Sequence, residues 1–237
     1  MTTQSYVKDR YNKVLQYDIP ASQLTVRQAR SIPNIPNDVG YKEVVVMDLA
    51  IVFADVRGYT KRIEGANPKV AARLMSIYVT EMAAAIRHHG GTIVSIEGDG
   101  IIGAFDDSGD ENGPTAAVRS VVTMNTLLEF VVNKRLSAFQ QQPLSCGYGV
   151  DHGRLHITRA GIHGEGKNEL VFVGSPMTRA AKYQAKAQGN ELYISKRVYD
   201  AIEEFYRNNW GWSSTHTTEY GTLYKMNVNH WTGTEEP

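Results

Sequence analysis

Residues 49–60 read LAIVFADVRGYT, and the rest of the chain is organised around this stretch. Six apolar residues lead to the carboxylate of Asp55, and a short polar turn that contains Gly58 follows at once. A buried strand that ends in an acid and is followed by free backbone N–H groups can hold a cation and a phosphate together. A strand-end aspartate that only caps a loop has the same local pattern. A second acid close to Asp55 would favour the cation site over this simpler explanation.

The composition is that of a globular protein with one well-buried domain and accessory segments. The chain has 237 residues, of which 42% are apolar and 21% charged. Its 25 basic and 25 acidic side chains cancel, so charge gives no indication of a nucleic-acid partner. Cys146 is the single cysteine, which excludes an intrachain disulfide and a cysteine-based metal cluster. No signal peptide is evident and the longest apolar run, 44–54, is too short for a bilayer, so we expect a cytoplasmic protein without a membrane partner.

The order of predicted elements is β-α-β-β-α-β, followed by a further β-α-β module. This order predicts the α+β class, with one mixed central sheet and flanking helices that we place on one face. Residues 1–40 are polar and proline-containing and predict an N-terminal arm or linker, and residues 41–237 form the domain. The predicted strands are 43–55, 92–96, 101–105, 144–151, 155–161, 170–173 and 191–195. The predicted helices are 67–88, 114–139, 176–187 and 196–205, with a terminal hairpin within 210–228.

The second acid is Asp99, at the tip of the hairpin predicted around Glu97-Gly98-Asp99-Gly100. In a β-α-β-β arrangement the first strand and this hairpin lie side by side, so Asp55 and Asp99 should meet. Two carboxylates without histidine or thiolate suit Mg²⁺ or Mn²⁺, with substrate phosphates completing the coordination shell. A hairpin turn by itself accounts for an aspartate at position 99, but the pairing of Asp99 with Asp55 predicts a metal site.

Four segments, taken in order, resemble the motifs of class III nucleotidyl cyclases. They are 53–60 (FADVRGYT), 95–100 (SIEGDG), 149–154 (GVDHGR) and 169–182 (ELVFVGSPMTRAAK), within a match that spans about residues 43–200. The resemblance implies a ferredoxin-like class III cyclase catalytic domain that works as a head-to-tail homodimer with its sites at the interface. It also implies that a ribose 3′-hydroxyl attacks the α-phosphate of the same nucleotide and that pyrophosphate leaves.

The resemblance implies a role for each matching residue. Asp55 and Asp99 would hold two divalent cations, Mg²⁺ or Mn²⁺, with the backbone carbonyl of Val56 as a further ligand. Arg154, in a strand-turn-strand, would neutralise the triphosphate. The backbone amides that would cradle the β- and γ-phosphates belong to Val56, Arg57, Gly58, Tyr59 and Thr60.

The chain departs from the family where purine cyclases read the base. Ser95 and Val171 stand at those nucleotide-binding positions, and Val171 offers a purine no side-chain hydrogen bond. Tyr59, where the family often has phenylalanine, would narrow the pocket. Thr178 and Lys182 occupy the positions of the transition-state residues and, four apart, share one helical face. Lys182 can supply a cation as a point charge, and the neighbouring arginine, Arg179, is a possible substitute that should point elsewhere.

These departures resemble most closely the pyrimidine cyclases of bacterial Pycsar anti-phage systems, which signal to a separate cyclic-nucleotide effector. That resemblance implies a uridylate cyclase, which converts UTP to 3′,5′-cyclic UMP. The alternatives are a cytidylate cyclase, an adenylate cyclase with unusual base contacts, or a catalytically inactive nucleotide-binding module. In the homodimer, Asp55, Asp99 and Arg154 would come from one subunit. The other subunit would contribute Ser95, Val171, Thr178 and Lys182.

Overall fold

The computed structural model describes residues 3–59, 61, 67–161 and 168–228. Its strands are β1 (Thr25–Gln28), β2 (Glu43–Val56), β3 (Thr92–Glu97), β4 (Gly100–Phe105), β5 (Cys146–Gly161), β6 (Asn168–Val173), β7 (Glu191–Ser195), β8 (Ser213–Thr217) and β9 (Gly221–Asn227). Its α-helices are α1 (Thr3–Tyr17), α2 (Pro68–His88), α3 (Gly113–Leu127), α4 (Lys134–Ser137), α5 (Ser175–Lys186), α6 (Lys196–Ala201) and α7 (Glu204–Asn209). A π-helical segment, Leu128–Asn133, joins α3 to α4.

One mixed sheet forms the centre of the described fold. Its strands follow the order β3-β4-β2-β5-β7-β9-β8, with β1 parallel to β2 and β6 antiparallel to β5. The β2–β5 pair runs antiparallel from Val44 opposite Thr158 to Val56 opposite Cys146. The predicted α+β class, with its mixed sheet and flanking helices, is confirmed, and so is the order β-α-β-β-α-β from β2 to β5.

The predicted strand-turn-strand around His152-Gly153-Arg154 is wrong. These residues continue β5, a single 16-residue strand, and lie opposite Ala50, Leu49 and Asp48 of β2. The local Asp-His-Gly pattern is typical of a turn. Pairing with a neighbouring strand of 14 residues overrides that pattern, because each residue that stays in the ladder satisfies its backbone polar groups.

The sheet is covered on both faces, so the expectation of helices on one face is also wrong. Alternate residues of β2 point to opposite faces of the sheet, and each face carries its own hydrophobic cluster. The first cluster contains Val52 and is formed with α2 and α3, and the second contains Ile51. The second cluster includes Ala180 of α5, and also Ile32 and Val39 from the segment before β2. Because both of its faces are buried, β2 has a nearly continuous apolar sequence rather than an alternating one.

Residues before position 40 contact the sheet. β1 pairs with β2, and the buried side chains of Ile32 and Val39 pack under it. The described side chains of α1 are mostly exposed. The division of the chain at residue 40 stays a prediction.

One helix among the described residues, Gly113–Ser137, is long and apolar enough to cross a membrane. Most of the apolar stretch of this helix is buried inside the protein, where Val118 and Val121 pack in the first hydrophobic cluster. Packing in this core accounts for its apolar character.

Helix α5 lies directly on β5 at Gly149. A Cβ atom at this position would overlap the carbonyl oxygen of Ala180 and the amide nitrogen of Gln184. Both are backbone atoms of a helix and cannot move aside separately. Glycine at position 149 therefore allows α5 to approach the sheet this closely.

We expect Gly149→Ala to lower the free energy of unfolding by about 2–3 kcal/mol, because the added methyl group pushes α5 off the sheet. Urea denaturation measures this change. Gly109→Ala is the matched control, since a Cβ there meets nothing within 4 Å. The control should change the free energy by less than about 0.5 kcal/mol, and equal losses in the two variants would contradict this description of the α5 contact.

Candidate active site

Asp55 and Asp99 meet at one end of the sheet, as predicted. Asp55 lies opposite Gly100 in the β2–β4 ladder, next to the two-residue turn formed by Gly98 (φ +62°) and Asp99. A Cβ on Gly100 would lie 3.6 Å from Oδ1 of Asp55. The hairpin therefore delivers the second carboxylate beside the first.

The two carboxylates oppose each other electrostatically. Partial burial and the charge of Asp55 both raise the pKa of Asp99, and the nearby Arg57 acts in the opposite direction. A cation held between the two acids would relieve this repulsion. The donor set therefore fits a hard divalent cation.

The described residues contain no group of three or more histidine, cysteine, aspartate and glutamate side chains placed to hold a metal ion. Mg²⁺ commonly binds through one or two carboxylates and takes its other ligands from water and substrate phosphates. The pair of acids agrees with this mode of binding. The metal role of Asp55, Asp99 and the carbonyl of Val56 stays a prediction.

Two side chains that the sequence analysis did not place beside Asp55 contact it or lie close to it. Gln184 Nε2 donates a hydrogen bond to Asp55 Oδ2 at 3.2 Å. Arg57 Nη1 lies 3.8 Å from the same oxygen, and Arg57 Nη2 donates to the carbonyl of Gln184 at 2.5 Å. Oδ2 of Asp55 thus faces α5, while Oδ1 faces the hairpin. No local pattern marks Gln184, because the end of α5 reaches β2 only through the tertiary fold.

The turn after Asp55 agrees with part of the predicted phosphate cradle. Gly58 is exposed with φ +69°, and Tyr59 is partly buried close to Asp99. Burial, followed by the charge of Asp99, raises the pKa of Tyr59. Thr60 lies outside the described residues, and the cradle roles of the Val56, Gly58 and Tyr59 amides stay predictions.

The Arg57 amide, which the sequence places in the phosphate cradle, is already hydrogen-bonded in this structure, and its cradle role stays a prediction. That N–H donates to the carbonyl of Ser145 at 2.8 Å, because the pairing of β2 with the β5 segment extends one residue past Val56. The amide is therefore engaged in the sheet.

Arg154 lies away from the two acids along the sheet of one chain, and its role at the triphosphate stays a prediction. It lies opposite Asp48, whereas Asp55 lies opposite Gly147. Seven strand positions separate the two places, on the order of 20 Å. Arg154 Nη2 instead forms an ion pair with Asp48 Oδ2 at 3.1 Å. The cause is the continuity of β5, which carries Arg154 away from the acid end.

The two positions expected to contact the base lie far apart along the sheet. Ser95 is on β3, near the acids, and its Oγ donates to Glu97 Oε1 at 3.2 Å. Val171 is on β6 opposite Thr158, which itself faces Val44, at the other end of β2 from the acids. Val171 is 38% exposed. Its assignment to a site on a second subunit stays a prediction.

Thr178 and Lys182 both lie on the exposed side of α5. Lys182 Nζ donates to Glu219 Oε1 at 3.0 Å. Arg179 points elsewhere, as expected, and its Nε lies 2.5 Å from Oδ2 of the buried Asp151. This ion pair holds Arg179 against the sheet.

Comparison with known protein families gives one match that covers most of the chain. The family model described as the adenylate and guanylate cyclase catalytic domain matches residues 43–224. A relative named uridylate cyclase, from Rhodovulum sp. (strain MB263), is 26% identical over 196 residues, 79% of each chain. Another uridylate cyclase, from Burkholderia cepacia, is 24% identical and covers 87% of this chain and 91% of its own.

A solved structure has the same fold. The crystal structure of the guanylyl cyclase Cya2 superimposes with a TM-score of 0.69 at 26% identity, over 80% of this chain and 95% of that one. The predicted class III cyclase fold is confirmed.

The raised pKa of Asp99 gives a test of the acid pair. In metal-free protein, Asp55→Asn should lower the pKa of Asp99, because a neighbouring negative charge is removed while the side chain keeps its shape. Carboxyl ¹³C NMR titration measures this pKa. The pKa of Asp99 is higher in the folded protein than in the unfolded chain. The free energy of unfolding therefore falls as pH rises from the ordinary aspartate pKa through the raised pKa. Asp55→Asn should make this fall smaller, and an unchanged pKa of Asp99 in that variant would contradict the close approach of the two acids.

Proposed function

The chain belongs to the adenylate and guanylate cyclase catalytic domain family, and from that premise we propose that it is a metal-dependent pyrimidine nucleotide cyclase. The proposed reaction converts UTP to 3′,5′-cyclic UMP and pyrophosphate. Relatives named uridylate cyclase support this choice of substrate. The observation that carries the proposal is the meeting of Asp55 and Asp99 beside the turn that follows β2.

The chemistry requires an oxygen nucleophile and a leaving group on one nucleotide. The ribose 3′-oxygen forms a bond to the α-phosphorus, the bond from that phosphorus to the α–β bridging oxygen breaks so that this oxygen leaves with pyrophosphate, and the hydroxyl proton passes to water. Asp55 and Asp99, with the carbonyl of Val56, would hold two Mg²⁺ or Mn²⁺ ions. When bound, such ions lower the pKa of the attacking hydroxyl and stabilise the departing pyrophosphate.

Gln184 orients the first acid in this scheme. Its hydrogen bond to Oδ2 of Asp55 leaves Oδ1 directed towards the Asp99 hairpin. Partners of this kind keep a ligating carboxylate in one orientation. We expect Gln184 to act on the reaction through Asp55.

We propose that the enzyme works as a head-to-tail homodimer. Thr178 and Lys182 are exposed on α5, and Val171 and Val173 are exposed on β6, so these side chains are accessible to a second copy. Lys182 would supply a cation to the charge that develops on the α-phosphate. Arg179 is a weaker candidate because the buried Asp151 already engages its guanidinium. A cytoplasmic location and signalling to a separate effector in anti-phage defence complete the proposal.

A hydrogen bond on β3 supports uracil over cytosine. Ser95 Oγ lies 3.2 Å from Glu97 Oε1. An ionised carboxylate only accepts hydrogen bonds, so the serine hydroxyl must donate to it and keeps its lone pairs for another partner. If the base presents N3 to this hydroxyl, the N3–H of uracil can donate to those lone pairs, whereas N3 of cytosine is an acceptor and cannot. Tyr59 would narrow the pocket, and Val171 offers a purine no side-chain hydrogen bond. Both residues therefore support a pyrimidine substrate.

The direct test incubates the purified full chain with Mn²⁺ and each of the four nucleoside triphosphates, and identifies products by mass spectrometry. We expect cyclic UMP as the main product, with activity reduced by at least about a thousandfold in Asp55→Ala and Asp99→Ala, because each variant removes a carboxylate that would hold the cations. Cyclic AMP as the main product would contradict the pyrimidine assignment. Nucleotide binding without turnover would instead indicate an inactive nucleotide-binding module.

Glu97→Gln tests the proposed uracil contact. The introduced amide can donate to Ser95 Oγ and free the hydroxyl proton for N3 of cytosine, so the UTP:CTP ratio of kcat/KM should fall about tenfold. Glu203→Gln is the matched control, because Glu203 is an exposed carboxylate at the start of α7. An unchanged ratio in Glu97→Gln, with activity retained, would contradict the Ser95 contact without affecting the cyclase assignment.

A further inference from the structure

We propose that the Arg57 side chain binds a phosphate group of the nucleoside triphosphate, held in place by the absence of a side chain at Gly147. This inference rests on the proposed function for the identity of the substrate. From the sequence, Arg57 is expected to contribute only its backbone amide, and Arg154 is expected to neutralise the phosphate charge. The structure points to a different distribution of positive charge.

The guanidinium of Arg57 occupies the space beside Gly147. A Cβ atom built on Gly147 would overlap Nη2, Cζ and Nε of Arg57. Gly147 lies opposite Asp55 at the start of β5, so this space adjoins the acid pair. Any larger residue at position 147 would move the guanidinium out.

The contacts of Arg57 fix one side of the guanidinium and leave the other side available. Nη2 donates to the carbonyl of Gln184 near the end of α5. Nε is buried and has no hydrogen-bond partner within the described part of the chain. Nη1 lies 3.8 Å from Asp55 Oδ2, which is beyond hydrogen-bond distance, and the side chain is 26% exposed. An incoming anion can therefore reach Nη1 beside Asp55.

Electrostatics favours a guanidinium at this place in addition to the proposed metal ions. Two divalent cations would offset the two carboxylates, but the triphosphate itself carries several negative charges, and further positive charge beside it strengthens its binding. A guanidinium suits the task because it stays charged, and Nη1 remains to donate a charge-assisted hydrogen bond to a phosphate oxygen. Arg154 is seven strand positions away and is paired with Asp48, so in one chain Arg57 lies closer to the two acids than Arg154 does.

Arg57 also joins β2, β5 and α5, so a purely structural role is the rival explanation. Both roles predict a loss of stability when Arg57 is removed. Phosphate binding also predicts weaker affinity for an anion in protein that remains folded, with partial retention when the positive charge is kept. The experiment therefore measures anion affinity and folding separately.

The probe is inorganic pyrophosphate, titrated by calorimetry into the full chain in the presence of Mg²⁺. Arg57→Ala should weaken its binding at least about tenfold, as expected for loss of a charge-assisted hydrogen bond, and should raise the KM for UTP. Arg57→Lys should retain part of the affinity. Thermal unfolding of each variant shows whether it is folded at the temperature of the titration.

Gly147→Ala moves the guanidinium without removing its charge. We expect it to weaken pyrophosphate binding about as much as Arg57→Ala, and the double variant Arg57→Ala/Gly147→Ala should bind no more weakly than Arg57→Ala alone. Gly109→Ala and Arg30→Ala are the matched controls, since the first adds a methyl group in open space and the second removes an exposed arginine from the segment before β2.

Unchanged pyrophosphate affinity in folded Arg57→Ala or in folded Gly147→Ala would overturn the inference, and so would weakening in Arg154→Ala with no change in Arg57→Ala. Additive losses from Gly147→Ala and Arg57→Ala would also overturn it. Each of these results leaves the proposed function intact if the wild-type chain makes cyclic UMP. Absence of any cyclic nucleotide from the wild-type chain would contradict the proposed function itself.

Discussion

The antiparallel pairing of β2 with β5 is the constraint on which the rest of the site depends. It runs without interruption from Val44 opposite Thr158 to Val56 opposite Cys146. This register puts Asp55 beside the glycine that accommodates Arg57, and it puts Arg154 beside Asp48. A shift by one residue would turn each of these side chains to the other face of the sheet.

Asp55 lies where β2, the β3–β4 hairpin and α5 converge. The β3–β4 hairpin delivers Asp99 to one side, and α5 delivers the amide of Gln184 to the other. The contact between α5 and the sheet depends on Gly149, whose missing side chain makes room for the helix backbone. The orientation of one carboxylate is therefore determined by packing several residues away from it. Partners of this kind affect metal affinity without touching the metal.

Helix α5 presents different residues on its two sides. Its buried side contributes Ala180, Gln184 and the ion pair between Arg179 and Asp151. Its exposed side carries Thr178 and Lys182. In the proposed homodimer, α5 would orient Asp55 of its own subunit through Gln184. The same helix would contribute Thr178 and Lys182 to the active site of the other subunit. The same division explains why neighbouring positions on α5 have unrelated roles.

The sequence by itself determined the first long strand, the helix and hairpin that follow it, and the acid pair. The apolar run before Asp55, the turn at Asp99 and the helix between them are local patterns, and the β-α-β-β order leaves few ways to arrange them. The tertiary structure alone decided that β5 continues through Gly153, because long-range pairing outweighs a local turn signal. It alone revealed Gln184 and the side-chain position of Arg57, since both depend on contacts between residues far apart in the chain. Local patterns specify which residues can carry the chemistry, whereas register and close packing decide which of them meet.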